Sequence, residues 1–133
     1  MSVRQLIFAA FLLLAVTVVE ASDQSIWIKG ILTCKGQLAA GVTVEIWDHD
    51  TLDPDDLMGT NSTVTDGSFN ITGWTESKST IDPYTKFIHN CTENNDQACS
   101  KKVVPDKYIN EGREPTKAYD FYSIELNSLS DDC

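Results

Sequence analysis

Apolar and polar residues alternate with period two along most of the chain, which is the pattern of strands that bury one face. From Ile26 to Thr33, Ile26, Ile28 and Leu32 alternate with Trp27, Lys29 and Ile31, which predicts a first strand. Val42 to Asp48 alternates cleanly, with Val42, Val44 and Ile46 on one face. Asp66-Gly67 is a hairpin-turn signal, and Ser68 to Gly73 continues from it with Phe69 and Ile71 inward. Tyr84 to His89 follows Pro83, a residue suited to a strand start. Lys101 to Val104 and Ala118 to Leu126 supply two more strands. Pro105 to Gly112 reads as one short helical turn or a loop, and no segment sustains a helical period. Strands punctuated this regularly by Gly, Pro and Asp, with no internal repeat or linker, predict an all-β sandwich in one domain over residues 22–133.

The first residues have a different pattern. A single Arg4 precedes an unbroken apolar run from Leu6 to Val19, and Val19 and Ala21 stand at the two key positions of a small-residue cleavage site. The run is shorter than the ~20 residues that span a bilayer. Residues 1–21 therefore read as a secretory signal peptide, with no transmembrane segment after it, and a soluble extracellular protein is expected.

That compartment bears on the cysteines. Cys34, Cys91, Cys99 and Cys133 make an even count in a secreted chain, which implies two disulfides. Cys91 and Cys99 enclose only seven residues, so a local bridge between them is expected. Cys34 with Cys133 follows by elimination, although four cysteines allow three connectivities. No metal site is expected at His89 once its neighbouring thiols are bridged, and His89 then reads as a surface residue at a strand end.

Twenty acidic residues against ten basic ones leave a formal net charge of −10, which disfavours nucleic acid as a partner. Peripheral contact with an anionic membrane would need a local basic patch such as Lys101-Lys102. Asp48 to Asp56 holds the densest charge. It lacks the central Gly and terminal Glu of a calcium loop, so a solvated connection between strands is expected. Asn61, Asn70 and Asn90 each open a glycosylation sequon. Trp47, Trp74, Phe87 and Tyr122 fall on the parity opposite to the expected core positions, and together they form a candidate ligand patch. Only His49 and His89 are available as bases. Neither sits in a nucleophile elbow, an H-E-x-x-H motif or a Gly-rich phosphate loop, so neither catalysis nor a cofactor is indicated.

Five ordered segments carry a resemblance: Lys29–Asp48, Thr65–Gly73, Ile81–Cys91, Cys99–Ile109 and Lys117–Phe121. Together they resemble the nematode transthyretin-like family over roughly Ile26 to Leu126. The resemblance implies a secreted transthyretin-like sandwich of seven or eight strands with two bridges. Tyr122 stands where that family commonly carries Gly, a departure that bears on the turn of the last strand. Most of the family lacks assigned biochemistry, and one branch is associated with bridging phosphatidylserine on dying cells to an engulfment receptor. The enzymatic relatives of transthyretin hydrolyse 5-hydroxyisourate and end in Tyr-Arg-Gly-Ser. This chain has no such tetrapeptide and lacks that site's paired His and Arg, so the resemblance does not carry the hydrolase activity. The expected function is an extracellular binding module for a cell-surface lipid, a small apolar ligand or a receptor ectodomain. A transthyretin-like hydrolase and an effector acting only through protein contacts are the alternatives.

Overall fold

A computed structural model describes residues 20–133. The predicted leader, apart from its last two residues, lies outside the described residues. Nine strands follow in order: β1 Ser22–Cys34, β2 Gln37–Leu38, β3 Thr43–Asp48, β4 Asp56–Ser62, β5 Ser68–Ser77, β6 Pro83–His89, β7 Ala98–Val103, β8 Asn110–Glu111 and β9 Tyr119–Glu125. They form two packed sheets, which is the all-β transthyretin-like sandwich that the alternation and the resemblance predict.

In the five-stranded sheet the long β1 is the hub. It pairs antiparallel with β2, β5 and β8, and parallel with β9. The four-stranded sheet is antiparallel throughout, in the order β4-β3-β6-β7. Alternation sends Ile26, Ile28, Leu32, Phe69 and Ile71 inward from one sheet to meet Val44, Ile46, Met58 and Phe87 from the other. Burying each such side chain contributes about 1.5–3 kcal/mol, so this shared face dominates stability. Phe87 meets Phe69 and Phe121 edge-on and Phe69 lies tilted to Phe121, with centroids 5.7–6.1 Å apart. The backbones of β4 and β5 come close together at Gly59 and Gly73. A Cβ on Gly59 would lie 2.5 Å from the Thr72 carbonyl oxygen, so no side chain fits there.

Several expectations change. Phe87 is fully buried, not part of a surface patch. β6 carries large apolar residues on both faces, so its own alternation does not say which face points inward. The register that sets Phe87 beside core Val44 decides it. Asp66-Gly67 does form a tight turn, with the Gly67 N–H donating to the Val64 carbonyl and φ of 76° at Gly67. However, β4 and β5 belong to different sheets, so the turn is a crossover and not a hairpin. β4 itself carries no apolar alternation and is specified by pairing with β3. Pro105–Gly112 contains a one-turn 3-10 helix, Asp106–Tyr108, and then β8.

All four cysteines are bridged, in a pairing different from the expected one. Cys34 joins Cys91, and Cys99 joins Cys133. Period two explains the difference. Cys99 pairs with Ile88 on the outer face of the four-stranded sheet, whereas Cys91 continues the inward parity of Phe87 and His89 and is buried. Short spacing therefore leaves the two sulfurs on opposite faces. Cys91 reaches across the core to the end of β1, and the C-terminal tail folds back along β7 to reach Cys99.

Candidate functional site

The outer face of the four-stranded sheet is built by register. Trp47 and Glu45 of β3 face outward beside Tyr84 and Lys86 of β6, and the next strand adds Val103 and Lys101. Lys86 Nζ lies 4.3 Å from the centroid of Trp47, and Lys101 Nζ lies 5.0 Å from that of Tyr84. Each ammonium sits over an electron-rich ring that holds it without neutralising it. The Trp47 indole N–H donates to Glu45 Oε1 at 3.2 Å, and the Tyr84 hydroxyl donates to Asp55 Oδ2 at 2.5 Å. Burial and the Asp55 bond raise the Tyr84 pKa, so this phenol stays protonated and neutral. Leu57 and Val103, 48% and 75% exposed, give the face apolar margins. The result is a face on which two lysines lie over aromatic rings with two carboxylates, Glu45 and Asp55, beside them.

The opposite face, on the five-stranded sheet, carries Trp27, Lys29, Asn70, Thr72, Trp74 and Tyr122. Arg113 stacks 4.0 Å from the Trp74 centroid and donates to Asp23 Oδ2 at 2.9 Å. Tyr122, 77% exposed, stands at the lip of an open groove of about 440 Å³ lined by Lys29, Gly30, Ile31, Asp120, Tyr122 and Ser123. Of the four aromatics expected to form one patch, Trp74 and Tyr122 share this face. Trp47 lies on the other sheet, and Phe87 lies in the core. Sequence reasoning missed the outward parity of Tyr84 and Lys86 because it took theirs for the core parity; Tyr84 is nonetheless buried, and Lys86 is half-buried.

Asp48 to Asp56 is the largely exposed connection between β3 and β4 that was expected, anchored at its buried first residue. Asp48 ends β3 nearly buried, and its Oδ1 accepts the Asp82 N–H at 2.8 Å. Asp48, Asp50 and Asp56 bring carboxylate oxygens within 4.8 Å of one another. Burial raises the pKa of Asp48. The bond to Asp56 pushes Asp50 up to about 6. Asp55 moves the other way, held down by the Tyr84 hydroxyl and the Asp50 N–H. Such clusters are common on surfaces without an ion, and nothing further marks this one as a site.

His89 is buried, not exposed. Its Nδ1 accepts the Cys91 N–H at 3.0 Å beside the Cys34–Cys91 bridge, and burial lowers its pKa. Asn61, Asn70 and Asn90 are all exposed. Among the described residues no helix is long and apolar enough to cross a membrane.

Two sheets packed face to face, stapled by an inter-sheet disulfide and presenting aromatic outer faces, define a prealbumin-type β-sandwich. Residues 29–106 match the profile of the Transthyretin-like family. The chain is 36% identical to Transthyretin-like protein 46 of Caenorhabditis elegans over 80% of this chain and 62% of that one. It is 36% identical to Transthyretin-like protein 5 of the same organism over 79% and 78%. The chain belongs to the Transthyretin-like family. It spans less than two thirds of protein 46, and these relatives are named as transthyretin-like proteins, not as enzymes. A 9R-lipoxygenase from Cyanothece PCC8801 superposes over 92% of this chain and 20% of that one. Its TM-score is 0.43 at 17% identity, a likeness too weak to bear on function.

Proposed function

We propose that this protein is a secreted binding module whose four-stranded sheet engages phosphatidylserine headgroups at a cell surface. The observation that carries the reading is the pair Lys86 and Lys101, seated over half-buried Trp47 and buried Tyr84 on the outer side of one sheet. A phosphatidylserine headgroup presents phosphate, carboxylate and ammonium. The two lysines suit the anions, and Glu45, directly across from Lys86, suits the ammonium. Leu57, Val103 and the aromatic rings suit the interfacial zone, where amphipathic rings sit at headgroup depth. The overall charge of −10 argues that attraction to an acidic membrane must be local, and this face seats two lysines over aromatic rings on neighbouring strands.

Vesicle flotation tests the reading with phosphatidylcholine vesicles alone, or containing phosphatidylserine or phosphatidylglycerol. Preferential binding to phosphatidylserine is expected. Lys86→Gln with Lys101→Gln should weaken it about thirtyfold at low salt, from about 1 kcal/mol for each lysine near an anionic surface. Undiminished binding by that variant, or no preference for phosphatidylserine, would remove the reading.

A further inference from the structure

The sequon Asn70-Ile71-Thr72 lies on the outer face of β5, and its surroundings differ from those of the other two. Trp27 of β1 stands directly opposite Thr72 and diagonally from Asn70, which is the spacing at which a long ring reaches its cross-strand neighbour. The Trp27 indole N–H donates to Asn70 Oδ1 at 2.6 Å. An indole nitrogen only donates, so the amide is forced to turn its oxygen to Trp27 and its Nδ2 away. Nδ2 is the atom that carries an N-linked sugar. Asn70 and Thr72 are both exposed, and Trp27 is only partly buried. By contrast, Asn61 Oδ1 accepts the N–H of its own neighbour Ser62 at 2.8 Å. Asn90 immediately precedes the bridged, buried Cys91.

From this geometry we infer that Asn70 is the principal N-glycosylation site, and that its first sugar lies over the Trp27 ring as part of the folded structure. In the modification, Asn70 Nδ2 attacks the anomeric carbon of an oligosaccharide carried on a polyprenyl diphosphate. The N–C bond forms, the C–O bond to the diphosphate breaks, and the diphosphate leaves with the bonding pair. The Nδ2 proton passes to a base of the transferase. Oδ1 is not consumed in the transfer, so in the folded glycoprotein it still accepts the Trp27 N–H and fixes the amide plane from which the sugar projects. The C–H face of an N-acetylhexosamine then meets the indole face, an apolar contact that an aqueous sugar and a half-exposed ring both gain by making. The glycan thereby covers part of the five-stranded sheet's outer face and leaves the Trp47–Tyr84 face bare. This inference rests on passage through the secretory route but not on lipid binding.

The test expresses the full domain behind a heterologous leader in eukaryotic cells, so that entry to the secretory route is independent of residues 1–21. Glycopeptide mass spectrometry of the secreted protein is expected to find Asn70 occupied in most molecules, and Thr72→Ala to remove that glycan. In the glycosylated protein, NMR should show the first sugar's protons shifted upfield by the indole ring, and Trp27→Leu should abolish the shift. The glycosylated chain should also melt several degrees above the same sequence refolded without sugar, and Trp27→Leu should erase that gap. An unoccupied Asn70 in secreted protein would overturn the assignment of the site. Occupancy with unshifted sugar protons and no melting difference would overturn the packing.

Discussion

Tyr122 holds a φ of 58°, in the left-handed region where a side chain crowds its own backbone. The cause is a bulge: β9 places two residues, Phe121 and Tyr122, against the single Gly30 of β1, so pairing shifts between Lys29 and Ile31. Asp120 Oδ1 supports the turn by accepting the Tyr122 N–H at 2.8 Å. Gly30 is required opposite, because a Cβ there would lie 2.8 Å from the Phe69 ring and 3.0 Å from the Tyr122 carbonyl oxygen. The Gly common in the family at Tyr122 meets this conformation without strain. Left-handed backbone costs a non-glycine residue about 1–2 kcal/mol, and the extra chain entropy of Gly returns about half of that. Tyr122→Gly is therefore expected to raise stability by about 0.5–1 kcal/mol, read as a higher urea midpoint with an unchanged slope. A lower midpoint would mean that the exposed ring contributes packing that its 77% exposure does not suggest.

Among elements, the C-terminal tail is packed against β7. β7 is an edge strand, and edges invite pairing with other chains. Here the tail occupies the edge. Asp131 Oδ1 accepts the Cys99 N–H at 2.9 Å, and Asp132 Oδ1 accepts the Lys101 N–H at 2.8 Å. The Asp132 N–H donates to the Cys99 carbonyl, and Ser100 Oγ donates to the Ser130 carbonyl. The Cys99–Cys133 bridge holds this cover in place. The two bridges span sequence separations of 57 and 34 residues, and loop-closure entropy assigns about 4 kcal/mol to either, an upper figure. Comparable losses of stability are therefore expected from Cys34→Ser with Cys91→Ser and from Cys99→Ser with Cys133→Ser. The second pair should also uncover the β7 edge and make the protein associate as its concentration rises, measured by sedimentation velocity. Monomeric behaviour of that variant at all concentrations would show that the tail is not what protects the edge.

For the whole molecule, opposed groups shape the dependence of stability on pH. Asp50, raised from 3.8 to about 6, favours the folded state when protonated. Its contribution is fully present below pH 3.8 and is lost as pH rises through about 6, and Asp48 acts in the same direction. His89 opposes them. Burial lowers its pKa from 6.5, so its contribution is present above that value and is lost as pH falls below it. Asp55, Asp66 and Glu125, each lowered by hydrogen bonds to its carboxylate, also lose their contributions on acidification. Asp50→Asn is therefore expected to match the wild type near pH 4, gain on it as pH rises to 6, and stay ahead by a constant margin above pH 7. Urea midpoints across that range check it. A constant gap at every pH would show that Asp50 does not titrate in the window.

Period-two alternation together with Gly and Pro punctuation located six of the strands, and alternation set the inward faces of β1, β3 and β5, because a half-buried strand must separate its apolar side chains within its own few residues. Cysteine parity and the acidic balance were likewise legible from composition, and the ordered segments from Lys29 to Phe121 carried the family. What alternation cannot express is which strand lies beside which. β4, with no apolar rhythm, exists only because β3 offers it a ladder. Phe87 turns inward only because Val44 stands next to it, and Tyr84 and Lys86 turn outward for the same reason. The pairing of the cysteines also belongs to the tertiary structure. Spacing measures distance along the chain, whereas a disulfide needs two side chains on the same side of the sheets, and that was decided when the sheets packed together and the tail closed over β7.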